Sequence, residues 1–339
     1  MRRSPPAVAV LLLGVVAVTT TGDRPSWAQD SVAQWTPTFT MTQVVDLTPP
    51  RPDGRMVISA NGRLSVMVPG GPPRPFARSK GGYKTDLGTE AYVALSSGQA
   101  VPSAGCRFER GAVAGIDPGG ASVLMISPDG RARRLAQLPR HGLLDGIAFD
   151  ETGAFGHRLL VTRLDQGRTA LFAIDCRGRA KKLSTTALAM EGGMVVAPST
   201  FGQYAGMLII ADEYSGDVFA IGPGGAPVVV ANPGLPSGRD MGVESLGFVP
   251  QGFGAGWSAY LADRAKQPEP HPGDDRILTL DGSALVAAGV APGDLLVAGE
   301  GGAPTIAIRC DGTTCSVQHV ADGPATSHAE GHIAFARRP

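Results

Sequence analysis

The chain carries no surplus charge of either sign: 30 Lys and Arg stand against 30 Asp and Glu in 339 residues. It has no basic stripe interleaved with aromatics, which argues against nucleic acid as a partner. Past the first thirty positions there is no long apolar stretch of helical period, so neither a helical bundle nor a membrane span is expected. No low-complexity linker divides the chain. The G-x-S-x-G elbow, phosphate loop, dinucleotide fingerprint, H-E-x-x-H and EF-hand loop are all missing, which removes the enzyme classes built on them. Asparagine is nearly absent, with Asn61 and Asn232 alone.

What the chain does have is 47 glycines, 28 prolines and many short Val/Ile/Leu segments, a composition that reads as all-β. Six segments share one hairpin design, an apolar strand running into a Gly-containing turn: 56–62, 123–130, 171–178, 218–225, 277–282 and 306–312. Asn-Gly and Asp-Gly supply the positive φ that tight hairpins require. The turn glycines fall 68, 48, 47, 57 and 30 residues apart, uneven but centred on about the 40–50 residues of a four-stranded propeller blade. The expected fold is a six-bladed β-propeller in one domain, residues 29–339. Pairing of an N-terminal segment at 40–47 with the C-terminal strand at 332–337 would close the ring and cover its edges.

Residues 1–28 have the form of a secretory signal peptide: Arg2 and Arg3, an apolar run from Ala7 to Val18, and a small-x-small site at Ser26-Trp27-Ala28. The run is too short to span a bilayer and no cysteine follows it to take a lipid. The mature chain would hold 27 basic and 29 acidic residues, a net charge of −2, and is expected to be secreted and monomeric. Export suits the four cysteines. Cys310 and Cys315 flank the Asp311-Gly312 turn and are expected to bridge, while Cys106 with Cys176 follows by elimination.

Ahead of the hairpins lie further pairs of apolar segments, 146–150 with 158–162, 194–198 with 207–211, and 246–250 with 258–262, read as the two inner strands of each blade. An acid recurs just before the first of them: Glu90, Asp145, Glu191, Glu244 and Glu330. In a propeller such positions converge on one mouth of the axial channel. Like charges brought close resist joint ionisation, so the five acids are expected to ligate a divalent cation, Ca²⁺ ahead of Mg²⁺ for an oxygen-only set. The alternative is that the repeated acid serves only to accept backbone N–H groups at a turn, shared among the units by duplication. His141 and His328, each a few residues before a ring acid, are candidate proton shuttles, with Glu191 as a water-activating carboxylate and Asp240 in a loop leading to the mouth. Loops after the second strands add Arg163, Asp212, Glu213, Asp263, Arg264, His271 and Glu300.

The segments GMLIIADEYSGDVFAI, SAYLADRA, EGGMVV and LDGIAF resemble the grammar of the six-bladed propeller superfamily. That group contains the senescence marker protein/gluconolactonase, strictosidine synthase-like and NHL-repeat proteins. The resemblance covers about residues 91–337 and implies an axial divalent cation, usually Ca²⁺, with lactone or ester hydrolysis in the gluconolactonase branch. That branch uses Glu, Asn and Asp ligands, and no inner-strand position here supplies the Asn. Two functions follow: metal-dependent hydrolysis of a small lactone or ester at the axial mouth, or non-catalytic binding of a ligand or protein with the ion structural.

Overall fold

A computed structural model describes residues 32–190, 192–238, 241–266 and 269–339. The expected signal peptide, Glu191 and Asp240 lie outside the described residues. The rest is all-β apart from one short α-helix, Gly282–Ala287, and two single turns of 3-10 helix.

Hairpin chemistry sets the repeat locally. Asn61 (φ 48°) and Gly62 (φ 64°) both take positive φ between Met56–Ala60 and Arg63–Met67, as a two-residue turn of mirror-image type demands. The turns at Gly130 and Gly178 are one residue longer. In each, the chain closes with paired bonds, Ser127 to Arg131 and Asp175 to Arg179, and glycine takes the left-handed position.

Four separate four-stranded antiparallel sheets result. The first holds Val44–Leu47, Met56–Ala60, Arg63–Met67 and Arg74–Phe76; the second Val93–Leu95, Val113–Asp117, Ser122–Ile126 and Ala132–Gln137. The third holds Leu143–Phe149, Leu159–Asp165, Arg168–Ile174 and Ala180–Thr186; the fourth Met194–Val196, Leu208–Asp212, Asp217–Ile221 and Pro227–Ala231. Ala100–Val101 and Cys106–Arg107 form a two-stranded sheet, and the other nine strands form one sheet, at whose centre Val243–Phe248 and Ala329–Arg337 run parallel through a single pairing, Leu246 with His332. The sheets stand in a propeller-like ring. Ala329–Arg337 lies beside Val44–Leu47 and Val243–Phe248, and the ring runs on through Met194–Val196 and Leu143–Phe149 to Val93–Leu95. Apolar clusters fill the space between successive sheets, as where Ile116, Ile147 and Val161 pack together.

Three expectations about this last region are corrected. The segment at 246–250 does not pair with 258–262: Val243–Phe248 pairs with Leu295–Gly299, and Trp257–Asp263 pairs with the C-terminal strand. Asp281-Gly282 does not make a hairpin turn. Asp281 instead caps the helix, accepting from Ser283 N, and the chain returns to the neighbouring strands. The C-terminal strand does not pair with residues 40–47. It becomes the innermost strand beside Trp257–Asp263, while N-terminal Thr36–Thr40 becomes the outermost, beside Arg276–Asp281. Alternation fixes which face of a strand is buried but says nothing about which neighbour takes its edge.

All four cysteines are paired, Cys106 with Cys176 and Cys310 with Cys315. The first bridge spans 70 residues and the second 5. On the chain-entropy account the first contributes about 4 kcal/mol and the second about 2. Denaturant unfolding of Cys106→Ser/Cys176→Ser is expected to show the larger loss; equal losses for both double variants would contradict that ordering.

Candidate metal centre

The leading ends of the inner strands approach one another closely. A Cβ on Gly192 would sit 2.4 Å from Glu244 Oε1, and one on Gly193 would sit 2.3 Å from the Gly331 carbonyl oxygen. Gly192 N donates to Asp145 O at 3.1 Å and Gly193 N to Glu244 O at 3.0 Å. Asp145, Glu244 and Glu330 are all buried, and Glu90 is partly so.

Tyr92 stands among these acids. Its hydroxyl lies 2.9 Å from Glu244 Oε1 and 2.8 Å from Glu330 Oε2, and its single proton serves one of them at a time. Burial, then Glu244, Glu330, Glu90 and Asp145, hold its ionisation well above the usual phenol range. Two of the predicted ring acids, Glu244 and Glu330, therefore meet at one hydroxyl; Glu90 is tied to Glu330 through Arg264, and Glu191 is outside the described residues.

Charge balance differs from the sequence expectation of an ion held by oxygen alone. Arg264, 6% exposed, donates through Nη1 to Glu90 and to Glu330 Oε1 (3.0 Å), and through Nη2 to Gly88 O (2.8 Å). Burial by itself would raise the Glu330 carboxyl, but Arg264 and His328 outweigh it and hold the group low. His328 is fully buried, with Nε2 2.7 Å from Glu300 Oε1 and 3.6 Å from Glu330 Oε1. Desolvation opposes its charge, yet the two carboxylates push its pKa up to about 10.

Glu300, His328 and Glu330 each offer one ligand atom, and these atoms lie within 4.8 Å of one another. Among the described residues, Glu300 Oε2 has no hydrogen-bond partner and neither His328 nitrogen makes a well-formed hydrogen bond. Two carboxylates and an imidazole, buried with coordinating atoms to spare, are a donor set that fits a divalent metal. The neighbouring Asp263, which accepts from His328 N at 2.9 Å, also keeps one oxygen unpartnered. Burial raises its pKa to about 6.

His141, by contrast, is not gathered into this group. Its ring is 66% exposed and faces Asp165 at 3.9 Å. Glu300 and Arg264 were visible in sequence only as members of loops. Tyr92 gave no signal, since one aromatic among apolar residues reads as core.

One layer further along the same strands lies a feature that spacing did not expose. Asp46, completely buried, accepts from Val93 N and His332 N at 2.8 Å each, and His332 Nδ1 lies 3.0 Å from both its oxygens. His332 Nε2 faces Met194 O at 2.9 Å. Both ring nitrogens thus face acceptors, the arrangement of an imidazolium. Burial would lower the His332 pKa, but Asp46 overrides it and the net shift is upward from 6.5. This stability contribution is present below the ordinary imidazole range and is lost as pH rises through the elevated folded value. The stability gap between the native protein and His332→Gln is therefore expected to narrow as pH rises above neutrality. A gap constant across that range in urea titrations would show that His332 is not charged.

No protein-family model matches the chain, and no curated protein matches it. Several solved structures do. One is a protein assigned provisionally as a gluconolactonase, 8% identical over 90% of this chain and 94% of that one, with a TM-score of 0.50. Another is a streptogramin B lyase, 13% identical, covering 88% of each chain at a TM-score of 0.45. A third is a catalytically inactive virginiamycin B lyase from Staphylococcus aureus with quinupristin, 10% identical at a TM-score of 0.41. That match spans 70% of this chain and 65% of the other, less than two thirds of the lyase. At these identities the likeness is one of fold, and the propeller resemblance seen in the sequence agrees with it.

Proposed function

We propose that this chain is an exported, metal-dependent hydrolase of a small lactone or ester, acting at the acidic mouth of a six-bladed propeller. The blade count takes the nine-stranded sheet as two blades joined at their inner strands, one of them closed by N- and C-terminal strands on its opposite edges. Export is supported by the signal-like residues 1–28 and by the two disulfides, which suit an oxidising compartment. The fold likeness to the provisional gluconolactonase favours the lactone class.

The observation that carries the reading is the convergence of Glu300, His328 and Glu330 in a buried site where, among the described residues, Glu300 Oε2 and the His328 nitrogens lack a well-formed hydrogen bond. These three residues would hold the ion, which when bound supplies Lewis acidity toward a carbonyl. The imidazole shifts the preference from Ca²⁺ toward Mn²⁺ or Zn²⁺. Glu300, its pKa raised by burial against the pull of His328, accepts a proton at its free oxygen. Arg264 keeps Glu330 ionised, and Tyr92 orients the carboxylates from above. In this reading Glu191 completes the ring as a further carboxylate, with Asp240 in the loop that leads to it.

A second reading, a non-catalytic binding propeller, is favoured by Arg264 itself, because its guanidinium already offsets Glu90 and Glu330 without an ion. Calorimetry on EDTA-treated protein with Zn²⁺, Mn²⁺ and Ca²⁺, alongside a lactone and aryl-ester panel, separates the two. Hydrolysis predicts one ion per chain, lost in Glu300→Gln and His328→Gln, and turnover lost with it and in Glu191→Gln. Ion binding without turnover would favour the binding role; absence of both would end the metal-centre reading.

A further inference from the structure

The far ends of the same inner strands form a concavity that the hydrolase reading does not use. It is a cup of about 380 Å³ lined by Leu47, Val93, Phe149, Val196, Phe248 and Phe335, one apolar side chain from each inner strand. Phe149 and Phe248 lie four residues past Asp145 and Glu244 in their own strands. At about 3.3 Å per residue this puts the cup about 13 Å from the acids along the strand direction. His332 lies in its wall with both nitrogens committed to Asp46 and Met194 O, so the interior offers almost no free polar group. The cup has one carboxylate, Glu151, which is exposed and takes a hydrogen bond from the exposed Ser97 hydroxyl.

We infer that this cup is a binding site for a compact apolar amine. A cup of about 380 Å³ is in the size range of small-molecule sites, about 300–1,000 Å³. Small-ligand sites have this composition, mostly apolar and aromatic walls with a few placed polar groups. The phenylalanine rings supply apolar wall for the body of the ligand, and the one carboxylate favours a cation as its head, since Glu151 has acceptor capacity left beyond Ser97. An anionic head would meet Glu151 with like charge, while a neutral one would gain only a hydrogen bond.

Three ligands with one apolar body test this: 4-phenylbutylamine, 4-phenylbutanol and 4-phenylbutyrate, titrated calorimetrically into the full chain. One site per chain is expected, with the amine at least about tenfold tighter than the carboxylate and the alcohol between them. Glu151→Gln, a surface change that leaves the fold intact, should erase the amine preference and keep alcohol binding. Val196→Trp should fill the cup and weaken all three, with a melting curve confirming that the variant folds. Glu300→Gln should leave amine affinity unchanged while removing any metal binding, so failure here is distinguishable from failure of the hydrolase reading. Absence of saturable binding, tightest binding of the carboxylate, or an amine preference that survives Glu151→Gln would overturn the inference.

Discussion

Arg264→Met is expected to destabilise the protein by about 3–5 kcal/mol at neutral pH, the cost of leaving buried carboxylates without their cation. For a domain of this size that corresponds to a fall of about 5–8 °C in melting temperature. The reason is geometric. One Arg264 nitrogen serves both Glu90 and Glu330, a second holds the Gly88 carbonyl, and Met fills similar space with no donor. The pH dependence gives a sharper test. Glu330 is held below its ordinary 4.5 in the folded state, so its pairing contributes stability above that value and loses it as pH falls through the folded pKa. The variant lacks most of this contribution, so its deficit should be full at neutral pH and shrink as pH drops below about 4.5. A deficit of equal size at pH 4 and pH 7 would mean that Arg264 acts through packing alone. Arg264→Lys is expected to recover only part of the loss, because a point charge cannot reproduce a planar fork with three acceptors.

Removing residues 332–339 is expected to abolish cooperative folding. These residues form most of the innermost strand beside Trp257–Asp263. Ile333, Ala334, Phe335 and Ala336 are all at most 5% exposed, and His332 leaves with them, stripping Asp46 of its imidazole partner. Burial of Ile333 and Phe335 alone is worth about 3–6 kcal/mol, and with the pairing to Trp257–Asp263 lost as well the total is comparable with the stability of an ordinary domain, about 5–15 kcal/mol. Removing residues 32–41 instead takes away strands at the sheet edges, of which Thr36–Thr40 is largely exposed. That deletion should lower the melting temperature while preserving a single transition. Circular dichroism melts of both truncations, made in the full chain, check the contrast; a folded C-terminal truncation would show that the ring does not depend on its last strand.

Parts of this architecture were legible residue by residue. The Asn61-Gly62 turn, the Gly130 and Gly178 hairpins and the Cys310–Cys315 bridge all rest on contacts within a few positions, where local φ preference and alternation act directly. The acids at the leading ends of the inner strands were legible for the same reason, since each occupies the same place in a repeated unit. The helix after Asp281 was not, because an Asp-Gly pair suits a hairpin turn and a helix cap equally well. The exchange of partners among the strands at 243–248, 257–263 and 295–299 was hidden too, since all three are apolar enough to take either neighbour.

Composition, turn residues and spacing were enough to specify an all-β ring of short strands, with acidic residues at one end of its inner strands and cysteines placed to bridge. How the negative charge is balanced and where apolar space remains follow from the folded arrangement alone. Arg264 meets Glu330 across 66 positions, and His332 meets Asp46 across 286. Turn propensity and periodicity act over a handful of residues. The compensation of buried charge and the shape of a cavity depend on groups brought together from the whole length of the chain.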